Sequence, residues 1–502
     1  MTDRRASAWI PSVPDLVFCA TALVVALGAS VRLTQSDGDL FAHLTMGAQI
    51  LDTWRVPTTS TLGVTTNGAP MIAPGWLSEV IFAATYRVGG LAAITALVAI
   101  VVAAAHATVA WFLRRRGVDA RWTLVATLVS LALGATHWTA RPHVFTLLAA
   151  ALLIVLLEWD DVRAVPWIAA LFAVWANLHG GWIFGVVMIA AYVAGDALEW
   201  RGHREQANER AEARTAWRTR AARHGATLVL AMAATFATPY GIYLHREVWH
   251  TLMDPSLSRF IDEYQAPAFR DPGDVAFLGA LLMTVLVLAR SVRRMPWPWL
   301  FVVIANVAFA LRAGRNISLF GITAWPLIAL FSREPVERFV ARFAVFADVA
   351  RRDVSARAGR WAAACAVALG ALGASGGRIA GVTVIARDVD PTRFPVAAVD
   401  AMRDAQLDGR IFAPWTWGSY VAFAWPGRQA FVDPLKITPD AAASYGTIVL
   451  TRPGWREQLS RWDVAVAVLP SGSTLARALE RDADWTVWHR DPNAVVIRRA
   501  HR

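Results

Sequence analysis

Apolar stretches approaching 20 residues recur along this chain, and that recurrence decides the solvent in which it can fold. Such a stretch is long enough to cross a hydrocarbon layer as a helix, with its backbone groups satisfied internally. The apolar runs lie near residues 15–34, 90–113, 122–138, 143–158, 165–178, 181–199, 226–239, 275–292, 297–312, 316–332 and 361–381. The chain is 56% hydrophobic and 17% charged over 502 residues, and its mean hydropathy is +0.41. The expectation is a polytopic α-helical membrane protein with about eleven transmembrane helices.

The charge pattern orients it. The formal charge of +11 is carried almost wholly by arginine, Lys436 being the one lysine. The arginines fall in short runs between apolar stretches, as at Arg114, Arg115 and Arg116, from Arg201 to Arg223, at Arg290, Arg293 and Arg294, and from Arg333 to Arg360. Alternate loops hold far fewer, so the positive-inside rule places the N-terminus inside and the 35–79 loop outside. An odd number of spans leaves everything after about residue 382 outside as well. Arginines distributed in this way argue against a nucleic-acid partner. Arg4 and Arg5 before the first run, with Ala26-Leu27-Gly28-Ala29-Ser30 inside it, also fit a cleaved signal peptide, and the next loop is translocated in either case. Cys19 and Cys365 both lie in apolar runs, which supports neither a disulfide framework nor a cysteine metal site. The basic segment Arg333 to Arg360, interleaved with Phe339, Phe343 and Phe346, suits an amphipathic helix on the inner leaflet.

The expected organisation is a multi-spanning domain over residues 1–381, with a large first outer loop at 35–79, and an outer α/β domain over 382–502. In that tail, the runs at Tyr420–Ala424, Gln429–Val432 and Val464–Leu469 read as strands. Thr486–Trp488 and Val495–Ile497 read as a closing hairpin, and Ala397–Gln406 and Ser473–Arg481 as helices.

Ionisable groups at membrane depth are costly and are usually kept for function. Those expected at outer helix ends are Asp37, Asp39, His43 and Glu79 of the first loop, then Arg141, His179, Glu263, Arg315 and Asn316. Carboxylates can hold a divalent metal such as Mg²⁺ or Mn²⁺ or act as base, Arg can clamp phosphate oxygens bidentately, and His can do either job. The same residues have plain structural readings. Asp37 and Asp39 can cap a helix starting near Leu40, and His43 can simply hydrogen-bond Asp39 one turn away. Arg141 and Arg315 can snorkel to the interface, and Glu79 can be an ordinary exposed residue.

Several short motifs resemble those of the GT-C class of membrane glycosyltransferases, and within it the bacterial multi-spanning members. The first outer loop carries Asp37, Asp39, His43, Gly47 and Ile50, then Pro57 and Ser60, then Trp76, Leu77 and Glu79. Arg141-Pro142, Asn177-Leu178-His179-Gly180, Pro239-Tyr240-Gly241 and Arg315-Asn316 resemble the same group, as do Trp417-Gly418 and Phe431-Val432-Asp433 in the tail. Pro74-Gly75 stands where the group often has His-Glu, which removes a potential metal-ligand pair.

The resemblance implies an enzyme of the bacterial inner membrane that takes sugar from a polyprenyl-phosphate donor and passes it to a glycan, lipid or protein acceptor outside. Asp39 and Asp37 would then be base or metal ligands. His43, Glu79, Arg141, His179, Glu263, Arg315 and Asn316 would contact substrate. The competing reading is a transporter or assembly scaffold for lipid-linked glycans, whose charges belong near the midplane of broken helices.

Overall fold

The computed structural model describes residues 10–36, 38–159, 161–205, 211–253, 262–340, 342 and 359–500. It divides into two compact units. One contains Met1–Gly28, Ala96–Trp138 and Pro142–Ala371, the other Ala29–Thr95, Thr139–Arg141 and Leu372–Arg502.

Helices appear wherever the apolar runs predict them. They are α1 (Val13–Gly28), α2 (Ser30–Gln35), α3 (Asp39–Thr53), α4 (Trp76–Arg115), α5 (Ala120–Gly134), α6 (His143–Leu157), α7 (Ala164–Leu178) and α8 (Trp182–Glu205). There follow α9 (Ala211–Ala234), α10 (Ile242–Met253), α11 (Pro272–Ser291), α12 (Trp297–Arg312), α13 (Ile317–Phe331), α14 (Arg333–Val340) and α15 (Arg360–Ala374). By length and composition, α4, residues 182–201 of α8 and residues 272–290 of α11 are long and apolar enough to cross a membrane. Helices α1, α6, α7, α12 and α15 are apolar but shorter. The last expected span stops at Ala374 rather than near 381, because Gly376 and Gly377 take φ of 70° and 73°, which a helix cannot continue through. Of the expected amphipathic segment, Arg333–Val340 is helical. Residues 341 and 343–358 lie outside the described residues.

In the first unit α13 is the central element, with every residue from Ile317 to Leu330 buried. The α5 helix packs on it through Trp122 Nε1, which donates to the Ala329 carbonyl at 2.8 Å, and Ser130 Oγ, which donates to the Gly321 carbonyl at 2.7 Å. By contrast α11 turns Leu278, Leu282, Val285 and Leu286 outward, the last 66% exposed. A helix apolar on its outer face as well as its inner one is matched to lipid rather than water.

In the second unit the tail adds β1 (Arg378–Ile379), β2 (Val382–Thr383), α16 (Val396–Asp404), β3 (Arg410–Phe412), α17 (Trp415–Ala424), α18 (Pro439–Val449) and α19 (Trp455–Arg461). It ends with β4 (Val464–Pro470), α20 (Thr474–Glu480), β5 (Trp485–Arg490) and β6 (Ala494–Arg499). The order β3-β4-β6-β5 makes a mixed sheet, with β3 parallel to β4 and the other pairs antiparallel. Phe412, Phe431, Ile448, Leu459, Leu475, Leu479 and Ile497 form the buried core of this sheet and its helices.

Two sequence expectations fail here: Gln429–Val432, expected as a strand, makes only an isolated bridge between Ala430 and Gly63, and the other is helical. Tyr420–Ala424, expected as a strand, is the second half of α17. An aromatic-rich apolar run fits either period, and helical spacing wins because Tyr420 and Phe423 both meet the fully buried Phe41 of α3, at ring-centroid distances of 5.2 and 5.1 Å.

The first loop also folds against the tail. Residues 58–71 form a narrow hairpin, in which Ser60 N–H donates to the Ala69 carbonyl at 2.8 Å and Met71 N–H to the Thr58 carbonyl at 2.9 Å. Residues 430–431 of the tail lie alongside it through an isolated bridge between Gly63 and Ala430: Val64 N–H donates to the Ala430 carbonyl at 2.8 Å, and Ala430 N–H to the Leu62 carbonyl at 2.8 Å.

Candidate functional site

The site residues of the second unit are set by how α3 begins. Gly38 is its N-cap with φ 83°, in the left-handed region, and a Cβ there would lie 2.2 Å from the Thr416 carbonyl oxygen. Only glycine meets both demands. The cap is therefore backbone, and Asp39, the first helical residue, is not spent on capping. Its Oδ2 lies 3.0 Å from Arg141 Nη2, with the two side chains 25% and 21% exposed. An ion pair this accessible contributes at most about 1 kcal/mol to stability. Its consequence is orientation: a carboxylate and a guanidinium held side by side, both partly accessible.

One turn further on, His43 does not turn back to Asp39. Its Nδ1 stands 3.4 Å from Glu79 Oε1 on α4. Gly47, one more turn along the same face, lets the helices touch, since a Cβ there would fall 2.0 Å from the Glu79 carbonyl oxygen. Glu79 is only 3% exposed, which sets aside the reading of it as an ordinary surface residue. Its second oxygen, Oε2, has no hydrogen-bond partner among the described residues. A buried carboxylate with one oxygen unsatisfied is expensive and calls for a further polar group at that point.

Asp37 lies outside the described residues. Among those described, no three His, Cys, Asp or Glu side chains gather as a metal-binding group. Asp39 faces a guanidinium and His43 faces a single carboxylate, and no step below runs through a metal.

The other four sequence-selected residues belong to the first unit. Thr146 Oγ1 and His179 Nδ1 are 2.9 Å apart, and Gly181 N–H donates to the same ring nitrogen at 3.1 Å. Nδ1 is thus the acceptor, and His179 carries its proton on Nε2 in the neutral form. Arg315 lies 3.8 Å over the Tyr264 ring, with Nη1 3.9 Å from Glu263 Oε1. Asn316 Nδ2 donates to the Phe309 carbonyl at 2.9 Å.

Two clusters went unread in the sequence. In the first unit, Tyr192 Oη and Trp299 Nε1 donate to Glu158 Oε1 at 2.6 and 2.7 Å, Arg116 pairs with Oε2, and Asp196 pairs with Arg220 and His224. These residues come from five separate helices or helix ends, and no local pattern announces them. In the second unit, Asp433 is fully buried and accepts from Ser60 Oγ at 2.7 Å, although 373 residues separate the two. The short Phe431-Val432-Asp433 motif was the only hint of it.

No protein-family model and no curated protein matches the chain. Among solved structures, it is similar to the archaeal oligosaccharyltransferase AglB from Archaeoglobus fulgidus in complex with an inhibitory peptide and a dolichol-phosphate. That likeness has a TM-score of 0.52 at 11% identity and covers 90% of this chain and 69% of that one. It is similar to ArnT from Cupriavidus metallidurans bound to undecaprenyl phosphate, with a TM-score of 0.51 at 13% identity over 96% of this chain and 97% of that one. It is also similar to the arabinofuranosyltransferase AftD from mycobacteria, with a TM-score of 0.51 at 12% identity over 97% of this chain and 40% of that one. At these identities the likeness is one of fold. The chain has the polytopic helical fold of GT-C membrane glycosyltransferases, as the short motifs imply.

Proposed function

We propose that the chain is a membrane glycosyltransferase that moves a sugar from a polyprenyl-phosphate donor to a glycan, lipid or protein acceptor at the outer face of a bacterial inner membrane. The shared fold supports the class. The observation that carries the reading within it is the partly exposed Asp39–Arg141 pair at the start of α3.

In this reading the acceptor hydroxyl attacks the anomeric carbon from the face opposite the leaving group, and the configuration inverts. Asp39 orients that hydroxyl and accepts its proton as the new C–O bond forms. The bond to the lipid phosphate breaks with its electron pair, and Arg141 stabilises the departing oxygens, since a guanidinium presents its N–H donors in a planar fork that matches phosphate geometry. The leaving group is already a phosphate, so positioning and charge stabilisation dominate over acid assistance. The test is turnover by the purified protein in liposomes. Release of free polyprenyl phosphate from a polyprenyl-phosphate sugar is expected, and none above protein-free liposomes across the common donor sugars removes the reading.

The orientation makes its own prediction. With the N-terminus inside and residues 35–79 and 382–502 outside, a periplasmic reporter such as alkaline phosphatase fused after Arg502 is active, and one fused within 117–120 is not. The reverse pattern contradicts the outer site.

A further inference from the structure

Asp433 is a group of the tail whose burial its own segment does not explain. It has no exposed surface, yet it carries a carboxyl, and a lone carboxyl is among the costliest groups to bury. Its hydrogen bonds show what holds it there. Oδ2 accepts from Ser60 Oγ at 2.7 Å, and that hydroxyl is 3.0 Å from Thr66 Oγ1 across the loop hairpin. Oδ1 accepts from Leu435 N–H at 2.8 Å, closing a turn on its own segment. Gly63 presses on it so closely that a Cβ there would lie 2.6 Å from Asp433 N. On one side the carboxyl thus meets the hairpin, and on the other it meets the tail.

The charged groups facing it are few. Glu79, from α4, is near enough for its negative charge to push the Asp433 carboxyl upward, and burial pushes it further in the same direction. Burial is the larger cause, and the bonds from Ser60 and Leu435 partly offset both. Lys436 stands in the same turn, and His43 lies beyond, against Glu79.

We infer that Asp433 is a positioning residue. Supplied by the tail, it clamps the 58–71 hairpin beside Glu79 and so keeps the Glu79–His43 pair in register with Asp39 and Arg141. The inference rests on the proposed transfer at Asp39, but its test separates the two. The tail reaches the start of α3 independently, where the Thr416 carbonyl closes on Gly38. Both contacts bear on the same helix pair. The tail is then part of the catalytic scaffold rather than a cover over it.

Two variants and two readouts decide it. In Asp433→Asn, the amide oxygen still accepts from Leu435, and the NH₂ donates to Ser60, whose hydroxyl then turns to Thr66, so the clamp survives without its charge. In Asp433→Ala, the clamp is gone. The first readout is amide hydrogen exchange at Ser60, Val64, Thr65 and Ala69 in the full-length protein, corrected for intrinsic rate. Asp433→Ala is expected to exchange at least about tenfold faster than wild type, and Asp433→Asn to stay close to it. Because the folded carboxyl is raised above its ordinary value, its stabilising share is present at low pH and is lost as pH rises through its titration. Wild-type protection of the hairpin therefore falls as pH rises above the usual carboxylate range, and Asp433→Asn shows no such fall.

The second readout is donor turnover. Asp433→Ala is expected to lose about 10²-fold in kcat with donor KM within about twofold, the mark of misplaced catalytic groups, while Asp433→Asn keeps most of its kcat. Native exchange in Asp433→Ala overturns the clamp, and so does an Asp433→Asn variant that exchanges as fast as Asp433→Ala. Faster exchange in Asp433→Ala with an undiminished kcat reduces Asp433 to a structural role. A wild-type protein that turns over no donor fails the proposed function, and the exchange data then decide the clamp alone.

Discussion

Asp39→Asn keeps expression and thermal stability at wild-type levels and lowers sugar transfer from a polyprenyl-phosphate donor by about two to four powers of ten. The substitution preserves size and hydrogen-bonding reach while removing the charge. The helix start does not depend on it, because the N-cap is Gly38 and a solvent-accessible pair with Arg141 adds little stability. A residue there only to begin a helix tolerates Asn, which caps about as well as Asp. A proton acceptor does not, since the amide cannot take the hydroxyl proton. Transfer assays in liposomes beside a thermal melt of the same preparation separate the two. Near-normal turnover returns Asp39 to a structural role and shifts weight to a transporter or scaffold.

The second large effect comes from a residue with no chemistry of its own. Gly47→Ala places a methyl 2.0 Å from the Glu79 carbonyl oxygen and 2.8 Å from Ala83 Cβ, and the first of these is backbone that cannot swing aside. The α3 and α4 helices must part by more than an ångström. Overpacking of this kind costs about 1–3 kcal/mol, and the 3.4 Å approach of His43 to Glu79 is lost with it. An ångström of misplacement costs about 10²-fold in rate. Expected together are a lowered melting temperature and a kcat reduced by about that factor. Gly225→Ala is the control: nothing lies within 4 Å of its Cβ, and it is expected to leave kcat unchanged and the melting temperature unchanged or slightly raised by the better helix former. Equal behaviour of the two variants removes the role assigned to the helix contact.

Much of the helical framework was legible because hydrophobic period and length are local properties. The closing hairpin was as well, since Val495–Ile497 pairs with the strand that contains Thr486 and Val487, as the turn between them suggests. What the sequence could not show was partnership over distance. Nothing near Ser60 signals Asp433, and nothing near Tyr420 reveals that Phe41 will turn an apolar run into a helix. His43 had Asp39, one turn away, as its nearest charged neighbour in sequence, but the approach permitted by Gly47 gives it Glu79 instead. Asp39 itself was suspected as a cap, and the left-handed glycine before it frees its carboxylate for Arg141. The candidate residues were found by chemistry, and their pairing was decided by packing.

The central claim is that donor phosphate binds beside Asp39, and the measurement that addresses it most directly is an experimental structure of the protein in lipid with a non-transferable polyprenyl-phosphate sugar analogue. The account predicts phosphate oxygens within hydrogen-bonding distance of the Arg141 guanidinium, with the anomeric carbon turned toward Asp39. Phosphate density away from both residues, with the Asp39–Arg141 ion pair undisturbed, contradicts it.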